Sequence, residues 1–420
     1  MSRFLLSAMP FTGHVAPMTA VAQRLVAHGH DVRFYTGSRF RSRVEDAGAI
    51  LVPWQAAPDF DENDLQATFP RLVGKKGVRQ LFANLTDCFI GTAPAQVTDL
   101  TAEWDREPWD ALAADETSLG AVLFSGLKRK PWATIAVVPL NLTGPGGPPS
   151  GMGLAPGTNP LTRVRDAALR ALVPLISRPL RKPLVDMFGA VGLQPTGFTI
   201  EDVVFSRSLT AASGAPLLDY ARRDRPDHLH FVGELRSPAD PTVAQPSWWP
   251  DLDDRTVVLV TQGTQNIDPN DLIRPALDAL GGRDLIVVAT SGIPGRDELP
   301  FAAPPNARVV GFVPYADLLP RVDLMITNGG WGGTIAALTH DIPLIVAGGD
   351  IDKPEVAARV AWSGAGVNLR TGTPSAKAVG DAVDRVLDDP SFRAAAARVG
   401  AQLRALGGAE RVVELLEREL

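Results

Sequence analysis

The stretch of the sequence that most directly suggests chemistry is NGGWGGT, residues 328–334, with four glycines within five positions. It follows DLMIT, a predicted buried strand, and precedes a predicted helix that begins at Thr334. Ligands of parallel sheets bind where the strands end, and the free N–H groups of a helix N-terminus bind anions such as phosphate. The glycines would let phosphate oxygens approach these N–H groups without interference from a Cβ atom.

A second glycine turn lies in the same half of the chain, in VTQGTQN, where Gly263 and Thr264 follow another predicted strand. Two phosphate-facing turns in one domain predict a diphosphate ligand. Neither turn has the Gly-Lys-Ser/Thr sequence of a Walker loop, and neither has the GxGxxG spacing of dinucleotide-binding folds. The pattern therefore indicates a phosphate site without fixing the class of ligand.

Both halves of the chain alternate strand-like and helix-like segments, which would position these turns. The first half begins with the strand RFLLSAMP, the glycine loop FTGHVAP, the helix-like MTAVAQRLVAHG and the strand HDVRFYTG, and the second half begins again at RTVVLVTQG. A strand–helix–strand order predicts parallel pairing with a right-handed crossover. We therefore predict an α/β protein of two doubly wound, Rossmann-like domains.

The region between the halves, GELRSPADPTVAQPSWWPDLDD, is rich in proline and charge and has no periodic pattern. We predict an N-terminal domain at residues 1–235, a linker at 236–250 and a C-terminal domain at 251–400. An amphipathic helix at 401–420 could pack on either domain, including back on the N-terminal one.

Charge and composition argue against several classes of protein. The net charge of −6 gives no support for nucleic-acid binding, and the single cysteine, Cys88, excludes an internal disulfide or a cysteine cage for zinc. His228 and His230 are close in sequence, but no third ligand is evident, so we predict no metal site. The chain has neither signal-peptide features nor a run near the ~20 apolar residues of a membrane span, so we expect a cytoplasmic protein.

Two consecutive segments interrupt the strand–helix alternation. Residues 141–160 form a long Gly/Pro segment, and such loops usually act as lids or binding loops. Residues 161–188 are helix-like in parts and carry six basic and two acidic residues. This second segment is either a solvated helix face or a surface for an anionic or membrane-bound substrate, with possible peripheral contact to a membrane.

Two motifs give the chain its resemblance to a known family. FTGHVAPMTAVAQRLVAHGHDVRFYTG and VVGFVPYADLLPRVDLMITNGGWGGT resemble, in order and spacing, the corresponding segments of family 1 glycosyltransferases, which include bacterial macrolide and antibiotic enzymes. The resemblance covers nearly the whole chain and implies the GT-B fold, in which the two domains face each other across a cleft. It places the acceptor on the N-terminal domain and a nucleotide sugar on the C-terminal domain. It implies transfer from a UDP- or dTDP-sugar to a hydrophobic small-molecule or glycolipid acceptor, with no cofactor and no metal.

The resemblance assigns catalysis to the first domain. It implies that His14, in the first glycine loop, is the general base that takes the proton of the acceptor hydroxyl. It implies that Asp115, at the end of a predicted strand, orients and stabilises His14. The adjacent Glu116 is an alternative partner, and Asp115 could instead cap the next helix. The resemblance and the presence of one base without an evident nucleophile imply inversion at the anomeric carbon.

The resemblance places the donor along the second domain. Phe312 would stack on the nucleotide base, the Val313 backbone would pair with the edge of the base, and Asp352 with Lys353 would face the sugar. The diphosphate would lie over the two glycine turns. The full set of predicted nucleotide-sugar residues is Gly13, Gly263, Thr264, Phe312, Val313, Asn328, Gly329, Gly330, Gly332, Gly333, Thr334, Asp352 and Lys353.

Four positions depart from the family pattern. Asn328 replaces a phosphate-contacting histidine, and its amide can donate a hydrogen bond but brings no charge. Lys353 replaces a glutamine and could contact phosphate, contact a carboxylate sugar or pair with Glu355. Val356 replaces an asparagine, and Ala336 replaces a ribose-binding glutamate, which favours a deoxythymidine donor.

Apolar residues in the variable parts of the first half would line the acceptor site, although any of them could belong to the core. The candidates are Phe11, Trp54, Phe82, Phe89, Phe124 and Met152. Their character suggests a flat or lipid-like acceptor. An alternative function, motivated by the changes at 328 and 353, is a non-catalytic protein that binds a nucleotide sugar.

Overall fold

The structure is a computed structural model that describes residues 1–420 except 76, 145, 196, 198, 221–224, 237–244, 264–267, 293–294 and 420. Within the described residues, the strands form two separate sheets, and every strand pairs with its neighbours in parallel. This agrees with the prediction of two doubly wound domains.

The first sheet belongs to the N-terminal half. Its strands are β1 Arg3–Ser7, β2 Asp31–Thr36, β3 Ile50–Pro53, β4 Ala111–Asp115, β5 Ala133–Ala136, β6 Leu209–Ser213 and β7 Leu229–Gly233. Their order in the sheet is β3-β2-β1-β4-β5-β6-β7. The chain order therefore reverses between β1 and β4, and a reversal of this kind opens a crevice at the carboxyl ends of the strands.

Helices cover both faces of this sheet, which explains why most of its strand residues are buried rather than every second one. Leu6 packs on one face against a cluster that includes Val15, and Leu5 packs on the other face with Cys88. The helices of this half are α1 Thr12–Ala27, α2 Arg41–Asp46, α3 Leu65–Thr68, α4 Gly77–Ala83, α5 Ala93–Arg106, α6 Leu119–Lys128, α7 Pro160–Ile176, α8 Arg178–Ala190 and α9 Glu201–Val204. A π-helical segment, Asn84–Ile90, continues α4.

The second sheet belongs to the C-terminal half. Its strands are β8 Val257–Thr261, β9 Ile286–Thr290, β10 Ala307–Val310, β11 Leu324–Thr327, β12 Leu344–Val346 and β13 Gly366–Asn368, in the order β10-β9-β8-β11-β12-β13. The helices are α10 Ile273–Leu280, α11 Tyr315–Leu318, α12 Trp331–Thr339, α13 Lys353–Ser363, α14 Ala376–Asp388, α15 Pro390–Ala405 and α16 Gly408–Glu419. The order again reverses in the middle, between β8 and β11.

The last helix, α16, returns to the first domain. It contacts α1, β6 and β7, and its apolar side chains join the core of the first domain. His28 Nε2 lies 2.7 Å from Glu410, and His30 Nε2 lies 2.8 Å from Glu417, so polar contacts flank this packing.

The predicted domain limits stay a prediction. The first sheet ends at Gly233 and the second begins at Val257, and part of the intervening segment, 237–244, lies outside the described residues. In the part of the chain that the structure describes, no helix combines the length and the apolar character needed to cross a membrane.

Candidate active site

His14 lies in the first turn of α1, and the predicted glycine loop at this position is wrong, because the helix begins at Thr12. The Thr12 N–H donates to Glu62 Oε2 at 2.9 Å, and the Thr12 hydroxyl donates to the other oxygen of that carboxylate. Glu62 therefore satisfies donors that a helix N-terminus leaves unpaired. A Cβ built on Gly13 would meet nothing within 4 Å, so this turn faces open space.

The end of β4 brings Asp115 beneath His14. Asp115 Oδ2 lies 3.4 Å from His14 Nδ1 and accepts a hydrogen bond from the Met9 N–H at 2.7 Å. Asp115 Oδ1 accepts from the N–H and from the hydroxyl of Thr117, each at 2.6 Å. The Thr117 hydroxyl is also 3.2 Å from His14 Nδ1. One ring nitrogen of His14 is thus held by the protein, and within the described residues Nε2 has no hydrogen-bond partner.

Electrostatics favour a charged pair at this site. Burial by itself would lower the pKa of His14, but the charge and hydrogen bond of Asp115 outweigh it, and Glu116 and Asp352 add to the effect, so the pKa rises to about 9. Burial by itself would raise the pKa of Asp115, but His14, Thr117 and the Met9 N–H lower it. The free site therefore holds an imidazolium–carboxylate pair at neutral pH.

The two alternatives for Asp115 find no support in its contacts. Glu116 points away from His14 and accepts from the Val137 and Val138 N–H groups, each at 3.0 Å. Its burial and the nearby Asp115 charge raise its pKa to about 7. Helix α6 begins only at Leu119, and the residue before it is Ser118. Asp115 is therefore not an N-cap, and it is the carboxylate that contacts His14.

The glycine-rich stretch faces the same cleft from the second domain. Helix α12 begins at Trp331, so the prediction that it begins at Thr334 is wrong, and Gly332 and Gly333 belong to its first turn. Gly330 precedes the helix and supplies no side-chain cap. Cβ atoms built on Gly330 or Gly332 would meet nothing within 4 Å. The first-turn N–H groups of α12 are therefore exposed to the cleft, as an anion site requires.

Gly329 has a different role from the other glycines. Its φ is +93°, and an added Cβ would lie 2.9 Å from Val346 Cγ1. Its backbone therefore needs both the left-handed conformation and the missing side chain. At Gly333 an added Cβ would be in ordinary contact, 3.5 Å from Tyr315 Cε2.

Polar atoms without partners gather around Asn328. The Asn328 amide nitrogen donates to the Gln262 carbonyl, which uses one of its two hydrogens and leaves the other. Asn328 Oδ1, Gln262 Oε1 and Thr334 Oγ1 are buried and have no partner among the described residues. Gly263, with φ +71°, lies beside this amide, and Thr264 is outside the described residues. Unpaired buried polar atoms are costly unless a ligand or water satisfies them.

The remaining donor positions differ in exposure. Phe312 is 58% exposed, which suits a ring that stacks on a base, and Val313 is buried beneath it. Phe312 and Val313 line a small pocket with Trp249. Ala336 is buried in the core of the second domain.

Asp352 and Lys353 stand at the beginning of α13. Asp352 is close enough to His14 for its charge to raise the pKa of His14, so the two domains meet across one cleft. Burial raises the pKa of Asp352, while Lys353 and His14 oppose that increase. Lys353 Nζ lies 3.1 Å from Asp350, so its ionic partner is Asp350 and not Glu355. Val356, which replaces a family asparagine, is buried.

The predicted acceptor residues separate into two groups. Phe11 and Trp54 join an aromatic cluster with Phe60, and the Phe11 ring centroid is 5.7 Å from that of His14. Phe89, from the π-helical segment, packs on this cluster, with its centroid 5.8 Å from that of Phe11. π-Helical segments are frequent at functional sites.

The structure shows no ring contact of the other candidates with His14 within the described residues. Phe124 is 1% exposed and packs between Trp104 and Trp109, with centroids at 5.7 and 5.0 Å, so it is a core residue in this structure. Phe82 is partly buried in a neighbouring cluster. Met152 is partly buried in the Gly/Pro segment.

Three contributors to the site were not predicted. Thr117 bridges Asp115 and His14, and its position two residues after the aspartate is the only signal in the sequence. Glu62 reaches Thr12 from a distant loop, for which the sequence has no signal. Trp331 donates from its indole N–H to Ser213 Oγ at 2.8 Å and thereby joins α12 to the first domain.

Two facing doubly wound domains with a polar cleft between them define a GT-B protein. Residues 274–418 match the family model for the erythromycin biosynthesis protein CIII-like C-terminal domain. The chain is 40% identical over 419 residues to 4'-demethylrebeccamycin synthase of Lentzea aerocolonigenes, covering 99% of each chain. It is 32% identical to UDP-glucosyltransferase B1 of Starmerella bombicola, covering 94% of this chain and 93% of the relative.

Solved structures show the same fold. The crystal structure of the glycosyltransferase VinC in complex with dTDP has a TM-score of 0.68 at 21% identity, covering 99% of this chain and 98% of VinC. The chain belongs to the family 1 glycosyltransferases, the group that includes macrolide and antibiotic glycosyltransferases, and it is an enzyme that transfers sugars.

Proposed function

We propose that the enzyme is an inverting glycosyltransferase with His14 as general base and Asp115 as its supporting carboxylate. The observation that carries this proposal is the His14–Asp115 pair, in which Nδ1 is held at 3.4 Å and Nε2 is left for a substrate. A base that is oriented through one nitrogen and open at the other is the arrangement that acceptor deprotonation requires.

In the proposed reaction, Nε2 of neutral His14 takes the proton of the acceptor hydroxyl while the hydroxyl oxygen attacks the anomeric carbon. The bond from that carbon to the diphosphate oxygen breaks, and its electron pair leaves with the nucleoside diphosphate. Attack from the face opposite the leaving group inverts the anomeric carbon. Asp115 stabilises the imidazolium that forms, and the first turn of α12 with Thr334 stabilises the departing diphosphate.

The raised pKa of His14 has a consequence for this role. With a pKa of about 9, only about one ring in a hundred is neutral at pH 7. The neutral, competent base becomes more abundant as pH rises, so transfer in the parent enzyme should accelerate between pH 7 and 9.

Replacement of the base tests the proposal. In His14→Ala we expect transfer from UDP- or dTDP-glucose to flat phenols, with 4-methylumbelliferone as probe, to fall by about 10²–10⁴. Calorimetry should show UDP and dTDP affinities within about twofold of the parent, because the base serves the acceptor side. His228→Ala, at a histidine on the outer edge of the first sheet, is the matched control.

Two outcomes would contradict the proposal. Near-parental turnover by His14→Ala would remove His14 from the role of base. Nucleotide binding by the parent without transfer or donor hydrolysis would favour the alternative, a non-catalytic protein that binds nucleotide sugars.

For the donor we propose a UDP- or dTDP-sugar, used without a metal or cofactor. The Starmerella bombicola relative is named for UDP, VinC was solved with dTDP, and Ala336 in place of a ribose-binding glutamate favours dTDP. A ligand at 100 times its Kd adds about 2.7 kcal/mol to stability, so thermal unfolding with UDP, dTDP and GDP should separate the candidates. Addition of EDTA should leave the transfer rate unchanged.

For the acceptor we propose the hydroxyl of a hydrophobic small molecule or lipid, bound against the aromatic cluster near His14. The Phe11 ring lies beside the base and the Phe89 ring packs on Phe11, and aromatic surfaces stack on flat apolar compounds. Phe89→Ala should raise the acceptor KM, whereas Phe124→Leu should not.

We also propose a cytoplasmic location with peripheral contact to the inner face of a membrane through 161–188. In α7 the one buried side chain is Asp166, and Leu161, Val164 and Leu175, at 80%, 66% and 63% exposure, lie on the opposite face. This outward apolar stripe lies in a locally basic segment of a chain with net charge −6. Apolar and basic residues together suit an anionic lipid surface.

Vesicle binding tests the membrane proposal. The protein should co-sediment with phosphatidylglycerol vesicles more than with phosphatidylcholine vesicles, and Leu161→Ser/Leu175→Ser should abolish the difference. Leu217→Ser, at an exposed leucine elsewhere, is the control. Equal binding to both vesicle types, or concentration-dependent dimerisation that the same double variant abolishes, would contradict it.

A further inference from the structure

Helix α13 carries two buried opposite charges that the proposed reaction does not use. Glu355 and Arg359 lie one turn apart, each only 1% exposed, with Glu355 Oε1 3.2 Å from an Arg359 guanidinium nitrogen. Burying charges is costly unless each is paired and hydrogen-bonded. The other contacts of Glu355 and Arg359 therefore show which part of the protein this buried pair stabilises.

Both side chains reach across the cleft to the first domain. Glu355 Oε2 accepts a hydrogen bond from the Gly153 N–H at 3.0 Å. Arg359 donates to the Leu140 carbonyl at 2.8 Å and to the Asp219 carboxylate. The Arg359 guanidinium carbon also lies 4.7 Å from the ring centroid of Tyr220.

Leu140 and Gly153 delimit most of the Gly/Pro segment, so α13 holds this segment at two points. The contact at Gly153 is close: its φ is +65°, and an added Cβ would lie 2.7 Å from Pro354 Cβ. Between the two points, the Thr143 N–H donates to Glu201 of the first domain at 2.9 Å. Leu140, Thr143 and Gly153 of segment 140–153 are thus held by contacts from both domains.

Helix α13 begins at the two residues that are predicted to face the donor sugar. Asp352 precedes α13, Lys353 begins it, and Glu355 lies in its first turn. We propose that Glu355 and Arg359 are positioning residues that hold segment 140–153 against α13 and so set the acceptor wall relative to the sugar. The proposal rests on the proposed function and on two predictions from the sequence, that Met152 of this segment lines the acceptor site and that Asp352 faces the sugar.

Neither positioning residue contacts the substrates in this arrangement. Loss of the contact should therefore raise the acceptor KM and lower transfer, while nucleotide affinity stays unchanged, because the α12 turn is untouched. If the two residues had a purely structural role, their loss would weaken donor and acceptor binding together. Alternatively, it would lower the stability of the fold without affecting the acceptor KM more than the nucleotide affinity.

Two left-handed glycines in the segment provide a matched pair of variants. Asn tolerates positive φ, so Gly153→Asn would push the segment away from Pro354 while both buried charged residues, Glu355 and Arg359, stay in the chain. Gly151→Asn is the control, because Gly151 has φ +77° and an added Cβ would meet nothing within 4 Å. We expect Gly153→Asn to raise the acceptor KM about tenfold, and Gly151→Asn to stay within about twofold.

Glu355 supplies a rescue test. Glu355→Ala removes the acceptor for the Gly153 N–H, whereas Glu355→Gln keeps an amide oxygen in the same place. Hydrogen exchange of the peptide containing Gly153 should be faster in Glu355→Ala and close to the parent in Glu355→Gln. The acceptor KM with 4-methylumbelliferone should follow the same order, with UDP and dTDP affinities unchanged.

The exchange measurement separates this inference from the proposed function, because it needs no turnover. If the parent transfers no sugar but Glu355→Ala accelerates exchange at Gly153, the proposed function fails and the anchoring of the segment stands. Equal exchange in parent and Glu355→Ala would overturn the inference, as would equal effects of Gly153→Asn and Gly151→Asn. A loss of nucleotide affinity as large as the rise in acceptor KM would also overturn it.

Discussion

Two helix N-termini, one from each domain, face the cleft, and they differ in what satisfies their backbone donors. At α1, the carboxylate of Glu62 accepts hydrogen bonds from the N–H and hydroxyl of Thr12. At α12, the preceding residue is Gly330, no side chain caps the helix, and the first turn is open. The local geometry of strand, turn and helix is the same in both places.

This difference separates the two chemical tasks. A helix N-terminus attracts anions. The α1 turn, which must keep a histidine near carboxylates, already has the Glu62 carboxylate, whose negative charge disfavours a phosphate there. The α12 turn has none, and its donors remain for a ligand. The comparison therefore predicts that changes at the α1 turn affect chemistry, whereas changes at the α12 turn affect nucleotide binding.

The largest effect is expected from Asp115→Asn, at the α1 site. An amide can still contact His14 but cannot stabilise the imidazolium, so transfer should fall by about 10²–10⁴. Without the Asp115 charge, burial dominates and the pKa of His14 falls from about 9. Because the neutral ring is the active form, the pH at which kcat/KM levels off should move to lower pH.

The measurement is a pH–rate profile of parent and Asp115→Asn between pH 5 and 10. Ser118→Ala removes a nearby buried hydrogen bond, between the hydroxyls of Ser118 and Ser7, and is the control for a general loss of local packing. An unchanged rate with an unchanged inflection would show that Asp115 does not support the base.

The next effect concerns Gly332→Val, at the α12 turn. A branched side chain would fill the open space over the first-turn N–H groups, and hydrogen bonds to charged groups contribute about 1.5–3 kcal/mol each. Losing one or two of them should weaken UDP or dTDP binding about a hundredfold in calorimetry. Gly189→Val, at an equally open glycine in α8, controls for the substitution itself, and equal affinities in the two variants would exclude the turn as the diphosphate site.

A smaller effect is expected from Asn328→Asp. The change places an anion beside the diphosphate and removes the amide donor, so nucleotide affinity should fall about tenfold or more. Asn328→His should bind close to the parent, because imidazole can supply an N–H. If Asn328→Asp binds UDP and dTDP as well as the parent does, the polar atoms around Asn328 do not serve the donor.

The smallest effect is expected from Glu62→Ala, which removes the anion that distinguishes α1 from α12. Loss of a helix cap costs about 1 kcal/mol, which corresponds to about 2–4 °C in Tm for a domain of 150–250 residues. Nucleotide affinity should not change. Glu62→Gln keeps an acceptor oxygen and should lose less stability, and identical Tm values for both variants would argue against a capping role.

Most of the fold could be predicted because its strands are strongly apolar. VVLVT and IVVAT are buried on both faces, and the predicted strand at VVLVT is confirmed as β8. β6, with the sequence LTAAS, and β13, with GVN, were not predicted, because small or polar residues give them no apolar run. Their burial comes from neighbouring strands and helices rather than from their own composition.

The first residues of helices α1 and α12 were harder to predict from the sequence than the strands that precede these helices. The glycines at 13 and at 332–333 suggested loops, but both lie in first helical turns. First-turn residues have N–H groups outside the hydrogen-bond ladder, so glycine there costs less than in a helix interior. The tertiary contacts of Thr12 with Glu62, and of Trp331 with Ser213, set where these helices begin.

The sequence by itself determined the two-domain α/β architecture, the family and the principal candidates, because these follow from periodic apolar runs and from motifs within short stretches. Tertiary structure alone decided that Asp115 and not Glu116 faces His14, that Lys353 pairs with Asp350, and that Phe124 is core. It also brought Glu62 to α1 and Glu355 to Gly153. Such contacts join residues far apart in the chain, and their energies depend on burial and orientation, which only the folded chain defines.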